Sequence, residues 1–297
     1  MDISQDMTIG EALQANPKTA DIFHQMGMKC LGCPSASAET IAQAAKIHGM
    51  DVHELLEKLQ AAGMGEMSAE NKAMAQPHRA VLQRDKQTYA IVPHIPGGIT
   101  DPQTLRKIAD VAEKYNAAAL KVTSSQRIAI VGLNPNDIDN AWSELGMDPG
   151  AAAGLCLRSV KICPGTTFCK RGQQDSVSLG LEIDKRYHGR ALPGKFKIAV
   201  SGCMNSCSEP AVRDIGVMGT PRGFNVMVGG NAGLHPRLGD LLIEHREPDE
   251  VLTLVDRILD YYEKNAKRNE RIGRMIDRIG LDTLKSAVLE GQAELTH

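Results

Sequence analysis

Two tight pairs of cysteines constrain this chain more than anything else in it. "CPGTTFC" leaves five residues between Cys163 and Cys169, and "SGCMNSCSEP" leaves three between Cys203 and Cys207. Four thiolates can hold zinc or a cubane iron–sulfur cluster. Structural zinc favours short knuckles with two to four residues between ligands, so the five-residue gap suits it poorly. A cubane is wider than one ion and needs a thiolate at each of its corners, which loops of five and three residues can supply. Free cysteine is also a common core residue, yet packing alone does not ask for four of seven cysteines in two tight pairs.

The rest of the composition sets the background for that choice. With 297 residues there is chain enough for two compact domains, or one large and one small. A formal net charge of −2 argues against a phosphate-driven nucleic-acid binder, although a local basic pocket can hide in a neutral total. No apolar run approaches the roughly 20 residues that span a membrane. "MDISQDMTIGEAL" lacks the basic start and apolar core of a secretory signal. The expected setting is cytoplasmic, where clustered cysteines belong to metal or redox chemistry more often than to disulfides.

Periodicity divides the chain. Residues 1–64 predict a small helical domain, with Ile9, Leu13, Ile22, Phe23 and Met26 at helical spacing and a break at Pro17. "SAETIAQAAKIHG" and "DVHELLEKLQAAG" predict two further helices, with Asp51 as an N-cap and Gly49 and Gly63 as stops. Residues 65–80 are polar and aperiodic, a linker. Residues 81–148 open on a strand, "TYAIVPHIPGGI". A helix follows over "DPQTLRKIADVAEKYN", capped by Asp101, with Pro102 at its first position and Leu105, Ile108 and Val111 on one face. "AALKVTSSQRIAIVGL" reads as a second strand, before a short helix at "NDIDNAWSELGM". Residues 149–297 hold five of the cysteines, strands at "KFKIAVSGC" and "GFNVMVGG", and amphipathic helices at the end. One of these is "DEVLTLVDRILDYYEKN", with Val251, Leu254, Val255, Ile258 and Tyr262 on its apolar side.

The wording around the cysteines is more specific than their spacing. "RSVKICPGTTFCKRGQQDSVSLG" followed by "KFKIAVSGCMNSCSEPAVRDIGVMG" resembles the sirohaem and 4Fe–4S domain of the nitrite and sulfite reductase family. The resemblance extends through "GFNVMVGGNAGLHPRLGDLL" and back to "HIPGGI" and "KVTSSQRIAI", similar to that family's ferredoxin-like half domain. It implies an α+β architecture: a small all-α domain, a ferredoxin-like half domain and a sirohaem and iron–sulfur α/β domain. It implies sirohaem and a 4Fe–4S cluster as cofactors, with Cys163, Cys169, Cys203 and Cys207 as cluster ligands and Cys207 bridging to the sirohaem iron. It also implies the six-electron reduction of sulfite or nitrite, since the cofactors bring the hard chemistry and the protein brings ligation, protons and positive charge.

An anion bound beside a macrocycle rich in carboxylates needs cations. Lys121, Arg158, Lys195 and Lys197 match family positions that line the anion pocket. Lys195 and Lys197 alternate on a predicted strand and so point to one face, although a lone K-x-K is more often a solvated face. Arg127, Asn231 and Arg237 are candidate partners for sirohaem carboxylates, and Gly229 and Gly230 would let backbone approach the ring. Arg127 and Arg237 could equally be ordinary charges. One departure stands out: many sulfite reductases have an arginine before the glutamine of this stretch, where Ser125 stands here, a spelling closer to NAD(P)H-dependent nitrite reductases.

Without a flavin or nicotinamide fingerprint the chain must draw electrons from a ferredoxin-like donor. Full-length members of the family contain two copies of this fold and this chain has one, which suggests a homodimer or higher homo-oligomer. Cys30 and Cys33 in "GMKCLGC" are too few for a tetrahedral metal site and read as a redox pair, half of a shared site or a structural turn. Cys156 reads as core, and His24, His48 and His53 as helix-surface residues. Two rival functions remain: an electron-transfer or redox-sensing subunit that keeps the cofactors, and a zinc-binding interaction module. The retained cations weigh against the first and the cysteine spacing against the second.

Overall fold

Two patterns of apolar residues become two sheets in a computed structural model that describes residues 79–289 without a break. Ahead of them it describes 39–48 and isolated positions between 7 and 59. The chain divides into two units, Met1–Pro77 and His78–His297. In the first, α1 (Ile41–Ile47) starts at Thr40, whose side chain accepts from Gln43 N while the Gln43 side chain accepts from Thr40 N. Its buried face, Ile41, Ala44 and Ala45, joins Ile9, Ala12, Phe23, Leu55 and Leu59 in a core of its own. The linker expected at 65–80 falls almost wholly outside the described residues, as do Cys30, Cys33, His24 and His53. His48 is exposed, as a surface histidine should be.

The second unit opens on a four-stranded antiparallel sheet: β1 (Val81–Leu82), β2 (Tyr89–Ile91), β3 (Ala119–Val122) and β4 (Ile128–Leu133), in the order β1-β2-β4-β3. Helix α2 (Pro102–Lys114) separates β2 from β3. Asp101 caps it by accepting from Gln103 N and Thr104 N. Ile108, Val111 and Ala112 are buried on α2, but Leu105, expected on that face, is exposed. After β4, α3 (Ile138–Leu145) contributes Ile138, Ala141, Trp142 and Leu145 to the interior. The stretch read as one strand, "AALKVTSSQRIAIVGL", is a hairpin. Its chain reverses at Ser124–Gln126, where Gln126 has φ +58° and its N–H donates to Thr123 O. Nothing in "TSSQ" carries the glycine or asparagine that usually marks such a reversal.

The larger sheet has five strands in the order β5-β6-β7-β8-β9: β5 (Lys161–Ile162), β6 (Ile198–Ser201), β7 (Ile215–Thr220), β8 (Gly223–Val228) and β9 (Asp240–Arg246). The first three run parallel and the last two antiparallel. Every residue of β6 and β7 is buried, the continuous apolar pattern of strands covered on both faces. Helix α4 (Gly165–Phe168) is one turn between β5 and α5 (Ser176–Tyr187), which packs on β5 and β6. Helix α6 (Pro248–Asn265) lies on β8 with Val251, Leu254, Val255, Ile258 and Tyr262 fully buried, as the periodicity requires. At about 1.5–3 kcal/mol for each large apolar side chain removed from water, that face is a principal anchor of the domain. Two short helices, α7 (Ile272–Ile279) and α8 (Leu281–Leu289), close the same core. Among the described residues no helix is long and apolar enough to cross a membrane.

Candidate cofactor and anion site

The cysteine pairs leave the sheet side by side. Strands β5 and β6 are parallel neighbours with Ile162 opposite Val200, and Cys163 N donates to Val200 O at 3.1 Å. Cys163 follows β5 directly and Cys203 stands two residues past β6, so both loops emerge at the carboxyl ends of adjacent parallel strands, where open α/β sheets hold their ligands. Backbone contacts lock the loops together. Gln173 N and Gln174 N both donate to Gly202 O, at 2.8 and 2.9 Å. A Cβ on Gly202 would lie 2.7 Å from Gly165 Cα, and one on Gly172 2.5 Å from Gly165 C. Gly165 itself is left-handed at φ +51°. In the second loop Ser206 and Glu209, both at positive φ, bracket Cys207 and reverse the chain twice within four residues.

This frame presents its sulfurs unequally. Cys163 is buried, accepts a hydrogen bond from Gly202 N at 3.0 Å and lies 3.3 Å from Ser176 Oγ. Cys203 is half-buried, and Cys169 and Cys207 are exposed. Beside them Phe168 and Met204 are 71% and 60% exposed, large apolar side chains facing out at the place where the thiols do. Among the described residues no three Cys, His, Asp or Glu side chains gather around a single-ion site.

Next to β6 the basic residues gather. Lys195, Lys197, Arg213, Asn231 and Arg271 line one pocket, and Lys197, Arg158, Lys161, Arg213, Ser125 and Ser159 line a second. The two lysines were expected on a strand, but β6 begins only at Ile198. They sit in the segment leading into it, where Phe196 bridges to Leu157 and is fully buried, and so both lysines face the same pocket. Arg271 forks onto the buried Asp214, Nε to Oδ1 at 2.7 Å and Nη2 to Oδ2 at 2.6 Å, and Lys197 N donates to the same carboxylate at 2.7 Å. Glu209 holds Arg213 at 2.6 Å and Lys161 at 3.2 Å. Lys195 and Lys197 form no ion pair with a described residue. Burial first, then Arg213, Lys195 and Arg271, pushes the Lys197 ammonium down to about 8.

The other expected residues are distributed more widely. Arg158 lines the second pocket while its guanidinium donates to Gly154 O at 2.8 Å and to Ala151 O at 2.5 Å. Arg127 is buried beneath it and donates to Gly150 O; burial and then Arg158 push it down to about 10. Lys121 lies on β3, exposed, and lines neither pocket. Arg237 is held by Asp240 at 2.6 Å and Asp277 at 3.1 Å. Gly229 and Gly230 serve their own chain first: a Cβ on Gly229 would lie 2.7 Å from Arg237 Nη1, and one on Gly230 2.6 Å from the Arg213 backbone. Cys156 is fully buried, a core residue as expected.

Residues 153–295 match the nitrite and sulphite reductase 4Fe-4S domain, and residues 81–147 match the nitrite/sulfite reductase ferredoxin-like half domain. The assimilatory-type sulfite reductase of Nitratidesulfovibrio vulgaris is 40% identical over 214 residues, covering 72% of this chain and 98% of that protein. This chain belongs to the nitrite and sulfite reductase family. The NAD(P)H nitrite reductase of Bacillus subtilis is 41% identical over 209 residues, 70% of this chain but only 26% of that longer protein. A solved dissimilatory sulfite reductase I shares the fold at TM-score 0.62 and 18% identity, covering 68% of this chain and 69% of that one. Residues 3–56 match a domain of unknown function.

Family membership makes the chain an oxidoreductase of the sulfite and nitrite reductase type that uses sirohaem and a 4Fe–4S cluster. The residues present accord with both groups. Thiol loops leaving the carboxyl ends of adjacent parallel strands, with Cys163 preset by an N–H···S bond, suit the cluster, and a pocket lined by Lys195, Lys197, Arg213 and Arg271 suits a macrocycle with carboxylate arms. Arg213 and Arg271 were absent from the sequence expectations. Each is an arginine in a polar stretch, and only the fold brings them, from 16 and 74 residues beyond Lys197, to its side.

Proposed function

We propose that this chain reduces sulfite to sulfide by six electrons drawn from a ferredoxin-like protein donor, with nitrite, reduced to ammonia, as the competing substrate. The observation that carries the reading is Lys195 and Lys197, two cations facing one pocket without a carboxylate partner among the described residues, reinforced by Arg213 and Arg271. Electron transfer alone needs no such pocket, and an anion is what it lacks. Sirohaem, when bound, supplies an iron that takes up the anion, and the cluster supplies electrons.

The chain's own residues do the rest. Cys163, Cys169, Cys203 and Cys207 would hold the cluster, and Cys207, exposed between two left-handed residues, would be the thiolate it shares with sirohaem. Lys195, Lys197 and Arg158 would hold the anion, and Asn231 and Arg237 would meet the macrocycle's carboxylates. Lys121 joins the anion pocket in a homodimer, where a second copy supplies the missing half of the pseudo-twofold arrangement. In support, β3 is an edge strand whose four residues are all exposed, Leu120 and Val122 among them.

Turnover of the purified protein with reduced methyl viologen, sulfite and nitrite tests the activity. The expected result is anion-dependent oxidation of the dye by a protein with sirohaem bands in its visible spectrum; those bands without turnover on either anion would refute it. In Cys207→Ser both cofactors should change together, and a lost cluster beside an unaltered haem spectrum would refute the bridge.

A further inference from the structure

His94, just beyond β2, belongs to neither the cysteine frame nor the lysine pocket. Its Nε2 lies 2.7 Å from Asp184 Oδ2 and its Nδ1 3.2 Å from Ser159 Oγ. Asp184, on α5, is 1% exposed, and its second oxygen accepts from Val160 N at 2.8 Å. That carboxylate therefore fixes the imidazole with its proton on Nε2. The ring stacks on His188 at 3.6 Å between centroids and 12° between planes. His188 Nε2 is buried without a hydrogen-bond partner, so this second ring stays neutral beside the first. Ser159 has two acceptors for one hydroxyl proton, His94 Nδ1 and Gly150 O at 3.2 Å, and it lines the pocket shared with Arg158 and Lys197.

We propose that Asp184, His94 and Ser159 form a proton relay that ends at the anion pocket. The proposal rests on the reductase reading, because converting bisulfite to hydrosulfide consumes protons in equal number to electrons. Charged His94 donates its Nδ1 proton to Ser159 Oγ as the hydroxyl passes its own proton to an oxygen of the anion. The N–H bond on His94 and the O–H bond on Ser159 break, a new O–H forms on each oxygen, and His94 is left neutral with serine unchanged. The His94 side chain, 12% exposed, recharges from solvent when the hydroxyl swings to Gly150 O. The charged and titratable groups around His94 are Asp184 on α5, His188 just past the end of that helix and Arg127 just ahead of β4.

Three variants of the loaded protein test the relay. Ser159→Ala should lower kcat for the anion by about tenfold to a hundredfold, with KM unchanged within about twofold. Ser159→Thr, which keeps the hydroxyl, should recover most of the loss, and His94→Gln should lose the alkaline limb of the kcat profile. Histidine C2-hydrogen exchange read by mass spectrometry on the wild-type chain supplies a measure independent of turnover. The pH at which His94 charges should coincide with that limb, and His188 should remain neutral across it. Wild-type kcat and pH profile in both Ser159→Ala and His94→Gln would overturn the relay, as would a His94 titration displaced from the limb. Loaded wild-type protein that reduces neither anion would instead overturn the reductase reading.

Discussion

Lys197→Met removes one ammonium from a crowded basic pocket and leaves a side chain of similar length. In the folded chain that ammonium is pushed from 10.5 down to about 8, chiefly by burial and then by Arg213, Lys195 and Arg271. A shift of about 2.5 pH units corresponds to roughly 3.4 kcal/mol at 1.36 kcal/mol per unit. Lys197 is only partly buried, and screening by solvent reduces this to about 1–2 kcal/mol. The sign follows from linkage. Below pH 8 both states carry the proton and the fold bears the full cost. Between 8 and 10.5 the unfolded chain binds the proton that the folded one has lost, so stability rises with pH until the cost is gone. Urea unfolding of the iron-free chain, whose core of β6, β7, β8 and α6 does not involve the exposed thiols, is the assay. At pH 6.5 Lys197→Met should be more stable than wild type by about 1–2 kcal/mol, the gap closing by pH 10. The loaded variant should bind sulfite at least about tenfold more weakly at pH 6.5, and wild-type affinity should fall as pH rises through 8. A variant less stable than wild type at pH 6.5, or sulfite affinity flat across pH 8, would refute the argument that burying this ammonium beside like charges strains the pocket.

Gly165→Ala puts a Cβ 2.3 Å from Ser176 Oγ at φ +51°, and should cost about 1–3 kcal/mol and release iron, read as loss of the cluster's absorption on gel filtration. Arg271→Met strips the fork from the buried Asp214, whose carboxyl burial already pushes upward; a loss of about 3–5 kcal/mol in urea unfolding is expected, and Asp214→Asn in the same background should restore part of it. Light scattering of the loaded protein should give the mass of a dimer or larger, with active monomer as the contrary result.

The cofactors were legible in the wording around the cysteines, "CPGTTFC" and "SGCMNSCSEP", through its resemblance to the family, whereas the spacing alone left zinc and a cubane both open. The terminal helix over 248–265 was equally legible, its apolar residues falling at a clean helical period. What escaped was of two kinds. The 119–133 hairpin was hidden by a reversal at Gln126 made without glycine, and β7 was hidden inside "DIGVMG" because a strand buried on both faces has no alternation to read. Asp214, Arg271 and the His94–Asp184 pair escaped because their partners are 17 to 90 residues away, and only the fold closes those distances.

The glycine contacts beneath the cysteine loops bear on how the protein acquires its metal. Gly165, Gly172 and Gly202 pack backbone against backbone, and Gln173 N and Gln174 N reach Gly202 O without involving sulfur, so the loops owe much of their relative placement to the chain. Assembly of the cluster is then closer to seating a part in a finished socket than to the metal-driven folding of a zinc finger. A socket of this kind can be emptied and refilled without passing through the unfolded state. Iron stripped by a chelator should therefore leave amide exchange at Gln173 and Gln174 almost unchanged, and the same polypeptide should accept a second cluster at once.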